Sequence, residues 1–194
     1  MKSLQKNNMD RFMLHFKNSS YVPKDAKTIL SNSRDLTYGM AVIIRDCRVS
    51  SKFIELDVSV HKNNLELLLE KLDSIGQIDN YRHIIEEEIA KNQLIEDGIF
   101  YFNNERFWEC HEALEGAWKQ CIGDEKELIQ GLILVAAALV HYQKDEITVC
   151  LSVLGRALKK LHSKSGQYYQ INVDKVKQKI IEMLDKKEIF TFMF

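Results

Sequence analysis

The spacing of hydrophobic and polar residues changes once along this chain. Before residue 85 it alternates in short runs. Residues 11–17 (RFMLHFK) form a short aromatic run with rough alternation, and Met40, Val42 and Ile44 alternate along a second. In a third, Ile54, Leu56, Val58 and Val60 face one side while Glu55, Asp57 and Ser59 face the other, the two-residue period of a strand. VPKDAKTILSNS, between the first two runs, predicts a short helix with Pro23 in its first turn, where the missing N–H is tolerated. After the third run Asn63 or Asn64 can cap a helix reaching residue 74, with Leu65, Leu68, Leu69 and Leu72 on its buried face and Gly76 at its end. A weaker strand is expected over 78–84. The order β-α-β-β-α-β is that of a ferredoxin-like split βαβ module, so the expected fold class is α+β, with this module over residues 1–84.

From residue 85 to 194 the chain is expected to form an all-α bundle of about five helices, over 84–103, 105–120, 125–143, 147–162 and 173–187. The third is apolar on nearly every side, which predicts a place in the middle of the bundle, and short loops predict antiparallel neighbours. Gly131 within it predicts a close helix contact. The apolar run IFTFMF at 189–194 predicts a tail that either folds back onto its own core or makes a homo-oligomer contact.

Composition narrows the classes of function. The formal net charge of −1 over 194 residues argues against a general electrostatic grip on nucleic acid. Arg34, Arg45, Arg48, Lys52, Lys62 and Lys71 are interspersed with acids, and the central strands lack the aromatic stacking signature of RNA binders. Cys47, Cys110, Cys121 and Cys150 are widely spaced with no CxxC pair, which fits reduced thiols in a cytoplasmic protein. MKSLQKNNMDR has no apolar core like that of a signal peptide. The most apolar run, 128–140, is interrupted by Gln130 and Gly131 and is shorter than the roughly 20 residues of a membrane helix. A soluble protein with no membrane partner is expected.

Residues 102–118 (FNNERFWECHEALEGAW) carry the candidate chemistry. On a helix, with Glu109 at zero, His111 falls at about 200°, Glu115 at about 240°, Trp108 at about 260° and Glu112 at about 300°. Phe107, Leu114 and Trp118 cluster between about 140° and 180°. His111 and Glu115 therefore border the apolar stripe, where ionisable groups need partners. His111 and Glu115 are four apart and Glu112 and Glu115 three apart, so each pair can meet across one turn. Such groups can hold a divalent metal; zinc, iron and manganese are not separable by ligand type. A glutamate three residues from a histidine is a spacing of di-iron bundles, which draw such motifs from two helices. Here the second side would come from His141, Gln130, Glu125 or Glu127. Gln130 and His141 share a stripe, within about 20° of each other and about 16 Å apart along the axis, and the motif glutamates are natural partners for Gln130. The plainer reading is a structural network, with Glu109 and Glu112 paired to Arg106 or a lysine and both tryptophans in the core. Cys110 and His111 are adjacent and do not face each other on a helix, and no Gly-rich phosphate loop or serine nucleophile elbow occurs.

With LIQGLILVAAALVHY and LGRALKKL following it in order, this motif closely resembles the helical family catalogued as domain of unknown function 309. The matching positions are Phe102, Asn103, Phe107, Trp108, Glu109, His111, Glu112, Leu114, Glu115 and Trp118, then Gln130, Gly131, Leu132, Ile133 and His141, then Arg156, Ala157 and Leu161. The likeness covers residues 95–161. Two positions depart from it: Glu105 stands where the family often has Gly, and Val149 and Cys150 replace a small pair. The resemblance implies an all-α bundle in which Glu109, His111, Glu112 and Glu115 form a polar cluster facing the third helix.

Three functions follow as expectations. The first is a non-catalytic binding or interaction module, its pocket made of Glu109, His111, Glu112, Glu115, Trp108, Trp118, Gln130 and His141, for a protein or small-molecule partner. The second is a metal-assisted hydrolase with His111, Glu112 and Glu115 as ligands and Glu109 as general base. The third is an RNA-contacting module using the N-terminal sheet.

Overall fold

Alternation in the first half builds one sheet. The computed structural model describes residues 9–85 and 87–194 and divides into two units, Met1–Glu87 and Glu88–Phe194. In the first unit β1 (Asp10–Lys17), α1 (Ala26–Leu36), β2 (Val42–Val49), β3 (Phe53–Val60), α2 (Leu65–Lys71) and β4 (Ile78–His83) follow in order. The four strands are antiparallel in the order β2-β3-β1-β4. Pairing of Leu14 with Leu56 and of Phe16 with Ile54 aligns the apolar faces of β1 and β3. That face packs with Ile29 of α1 and Leu65 and Leu68 of α2.

The same register puts His15 opposite Glu55 and Arg48 opposite Glu55, so the other face is a lattice of ion pairs. Glu55 receives His15 Nε2 at 3.0 Å and Arg48 Nε at 3.2 Å, and Arg11 grips Asp57 through two bonds of 3.0 and 2.6 Å. β2 begins at Val42 and continues through Asp46 and Arg48 to Val49. Its irregularity between Ile44 and Asp46 breaks the alternation that marks the other strands.

The second unit contains α3 (Lys91–Asn103), α4 (Phe107–Lys119), α5 (Gly123–Tyr142), α6 (Ile147–Leu161) and α7 (Val173–Lys186). Successive helices pack on one another, with α5 between α4 and α6. This matches the apolar character of α5, and Ile129, Leu132, Val135 and Leu139 are all in the core. Gly131 lies at the α5–α6 crossing, where an added Cβ would come within 2.5 Å of Leu161 Cδ2. The whole chain is thus α+β, with the sheet in the N-terminal half and most helices after it. No described helix is long and apolar enough to cross a membrane.

Two expectations need correction. The helix expected over 84–103 starts only at Lys91, with Ala90 extended before it. Ala90 offers no side-chain cap, and the described residues between 84 and 90 are irregular. Between α6 and α7 the chain makes a small hairpin, β5 (Gln167–Tyr168) and β6 (Ile171–Asn172), too short to leave an alternation signal. Asn172 caps α7, its Oδ1 accepting from the Lys175 N–H at 2.9 Å.

The apolar tail folds back within its own unit. Ile189, Phe190, Phe192 and Phe194 pack on the helical core. Phe194 stacks on Phe102 with centroids 3.6 Å apart, and its N–H donates to Asn103 Oδ1 at 2.8 Å.

Candidate functional site

The site is laid out by the turn that launches α4. Glu105 adopts φ 59°, in the left-handed region, and the N–H groups of Glu105 and Arg106 bond back to the carbonyls of Phe102 and Tyr101, each at 2.9 Å. The turn is fastened from the end of α5, where buried Gln143 donates through Nε2 to the Glu105 carbonyl at 2.6 Å. Glu105 thus takes the backbone conformation that the family's Gly would adopt most easily. Phe107 then enters the core with its ring 5.1 Å from that of Phe102, fixing the rotation of α4. Cys110, Leu114 and Ala117 follow it inward.

That rotation separates the four acidic and imidazole groups. Glu109 is fully buried and paired with Arg106, one turn back, whose guanidinium also lies 4.8 Å over the Tyr101 ring. In the first turn of α4 the carboxylate also meets the positive end of the helix dipole. His111, Glu112 and Glu115 lie elsewhere on the helix, with side chains 29%, 47% and 43% exposed. His111 Nδ1 is 3.4 Å from Glu112 Oε1 and 3.9 Å from Glu115 Oε2, and one ligand atom from each residue lies within 4.8 Å of the others. Lys119 Nζ approaches Glu115 at 3.9 Å. The expected four-residue cluster is therefore three residues plus a separate buried ion pair. The reason is angular: Glu109 and His111 are about 200° apart around the axis.

The tryptophans flank the three. Trp108 precedes His111 by one turn and Trp118 follows Glu115 by one turn, and both are half-buried. Lys126 of α5 sits 4.1 Å from the Trp118 ring centroid. Nothing in the sequence pattern joins Lys126 to Trp118, because a loop separates them.

The two candidates on α5 do not join this stripe. His141 Nδ1 is bonded to Glu146, whose N–H in turn bonds the His141 carbonyl at 2.9 Å, so the histidine closes the α5–α6 turn. Burial pushes the Glu146 carboxyl up, but the His141 bond and the Lys144 charge outweigh it and hold it below its ordinary value. Gln130 is half-buried and makes no hydrogen bond to an α4 glutamate among the described residues. Glu125 holds Lys91 at 3.0 and 2.9 Å and accepts from Tyr168 at 2.9 Å, and Glu127 meets Lys164 at 3.0 Å. Each candidate for the second side thus has a role elsewhere or no bond to the three.

The thiols are all free and buried, and burial pushes Cys47 and Cys150 up to about 12 and Cys110 higher still. None is a ready nucleophile at neutral pH. On the sheet unit three of the arginines are engaged: Arg34 donates to the Ile44 carbonyl at 2.9 Å, Arg45 to Ser59 Oγ at 2.7 Å, and Arg48 to Glu55 and Asp46. A shallow cavity of about 420 Å³ in that unit is lined by Ile29, Asn32, Asp35 and Ile75 among others, and by none of the α4 residues.

Residues 95–153 match the model of a protein family described as Domain of unknown function (DUF309). The match runs from α3 into α6 and includes all eight candidate residues. It stops short of residue 161, where the resemblance read from the motifs ends, and lies wholly within the helical unit. No curated protein matches the chain.

Proposed function

We propose that this chain is a non-catalytic binding protein whose contact surface is the α4 stripe of Trp108, His111, Glu112, Glu115 and Trp118. The observation that carries the reading is the half-exposed His111–Glu112–Glu115 group, gathered on a single helix. Two partly solvated carboxylates between two indole faces suit a cationic partner. Carboxylates accept charge-assisted hydrogen bonds from Arg or Lys, and an indole face attracts the same cations. Lys126 on the Trp118 ring already displays that preference within the chain. The partner is a basic segment of another protein or a small cationic molecule.

The rival is a metal-assisted hydrolase with a divalent metal on His111, Glu112 and Glu115. Ligand atoms within 4.8 Å of one another favour it, since modest side-chain motion would bring them to coordination distance. Against it stands Glu109, its proposed general base, which is buried and paired with Arg106. Elemental analysis of protein purified without chelator or affinity nickel separates the two. The binding reading expects no stoichiometric metal in either the native chain or the His111→Ala variant. A near-stoichiometric metal that the variant loses would overturn it in favour of the hydrolase.

The remaining assignments belong to the same proposal. The sheet unit is ferredoxin-like, a reading supported by its βαββαβ order and by β1 lying between β3 and β4. The domains are 1–84 and 85–194. The protein acts in the cytoplasm, supported by four cysteines that are all free. RNA is not its partner, supported by the internal pairing of Arg34, Arg45 and Arg48.

A further inference from the structure

The tail from Ile189 to Phe194 has no regular secondary structure and is held almost entirely by side chains. Phe192 and Phe194 both pack on Phe102, with centroids at 5.2 and 3.6 Å, and Lys179 lies 5.3 Å over the Phe190 ring. Met193, between two anchors, is 74% exposed, so alternate residues point in and out as in an extended strand. Two polar bonds fix its register on the α3–α4 turn: Phe194 N–H to Asn103 Oδ1 at 2.8 Å, and Thr191 Oγ1 to Glu105 Oε1 at 3.3 Å. The turn is therefore a receptor for an extended segment with phenylalanine at every second position.

The hinge that folds the segment back is short and strained. α7 ends at Lys186, and Lys187 takes φ 54°, a left-handed conformation that suits glycine rather than lysine. Only Glu188 then separates it from the first packed residue, Ile189. Lysine and glutamate are good helix formers, so the hinge relaxes if α7 runs on and the tail points away from its own unit. A short strained hinge beside a self-contained docking segment is the condition for exchange between copies, because each tail re-forms on its partner the packing it gives up on its own chain.

We propose that residues 189–194 exchange between two copies of this chain, each tail docking on the α3–α4 turn of the other. The test uses full-length copies carrying one new cysteine each, Glu105→Cys in one and Thr191→Cys in the other, mixed under mild oxidation. The native cysteines are buried and do not compete. Retention of the native melting temperature shows that each variant folds. Exchange yields a disulfide-linked heterodimer about ten-fold more abundant than that from Glu105→Cys mixed with Ser165→Cys, because docking raises the local thiol concentration. Adding Lys187→Gly to both copies relieves the hinge and lowers the yield several-fold. Heterodimer at the level of the Ser165→Cys control, or a yield unmoved by Lys187→Gly, overturns the proposal.

Discussion

Single residues decide how tightly the helical unit closes, and two of them give opposite predictions. At Gly131 an added Cβ would lie 2.5 Å from Leu161 Cδ2 and 2.7 Å from its Cγ. Alanine gains up to about 1 kcal/mol of helix propensity there, whereas overpacking a closed contact costs about 1–3 kcal/mol. Gly131→Ala should therefore destabilise the protein by about 1 kcal/mol in urea unfolding, the packing term winning. At Glu105 the sign reverses. A left-handed non-glycine residue costs about 1–2 kcal/mol, and glycine's extra chain entropy returns part of that. Glu105→Gly also loses the exposed bond from Thr191, so it should raise stability by no more than about 0.5 kcal/mol. Gly131 was legible in the sequence because a glycine inside an apolar helix has few other uses. The backbone at Glu105 was not: a glutamate announces no turn, and only the family's glycine at that position hinted at one.

Among the elements, α4 carries the proposed contact surface, and its rotation sets what is displayed. Phe107, Cys110 and Leu114 turn inward, Glu109 closes on Arg106, and His111, Glu112 and Glu115 are left at the half-exposed border. The 100° arithmetic anticipated that border because long periodic segments follow it well. It also placed Glu109 far from His111, a separation that the single cluster implied by the family resemblance overlooked. The partners of α5 escaped the sequence for another reason, since His141 bonds five residues ahead across a turn and Lys126 reaches Trp118 across a loop. The helix ends also give a pH prediction. The Lys91 hydrogen bond chiefly holds the Glu125 carboxyl below its ordinary value of 4.5, and Glu146 is depressed as well. A carboxyl depressed by folding stabilises the protein above its unfolded value, and that stabilisation is lost as pH falls through the folded one. The melting temperature should drop as pH is taken from neutral to below 4.5, and less steeply in Glu125→Gln.

For the whole molecule, each unit has its own hydrophobic core, one built on Phe12, Leu56 and Leu68 and the other on Leu114, Leu132 and Leu154. Both cores were legible in outline, because a period of two gives way to a period near four at residue 85. The junction was not, because an acidic run followed by AKNQL reads as continuous helix by propensity alone. Limited digestion with a glutamate-specific protease should cut first near Glu87 or Glu88, leaving two resistant fragments; early cuts inside α4 or α5 would contradict this division. The proposed role of the α4 stripe, a surface for a cationic partner, stands or falls on one titration. The intact chain is titrated with an arginine nonapeptide while tryptophan emission is followed, beside the paired variant Glu112→Gln and Glu115→Gln. A saturable change is expected, weakened about ten-fold or more in the variant, with the melting temperature unchanged. No saturation, or equal binding by the variant, would contradict it.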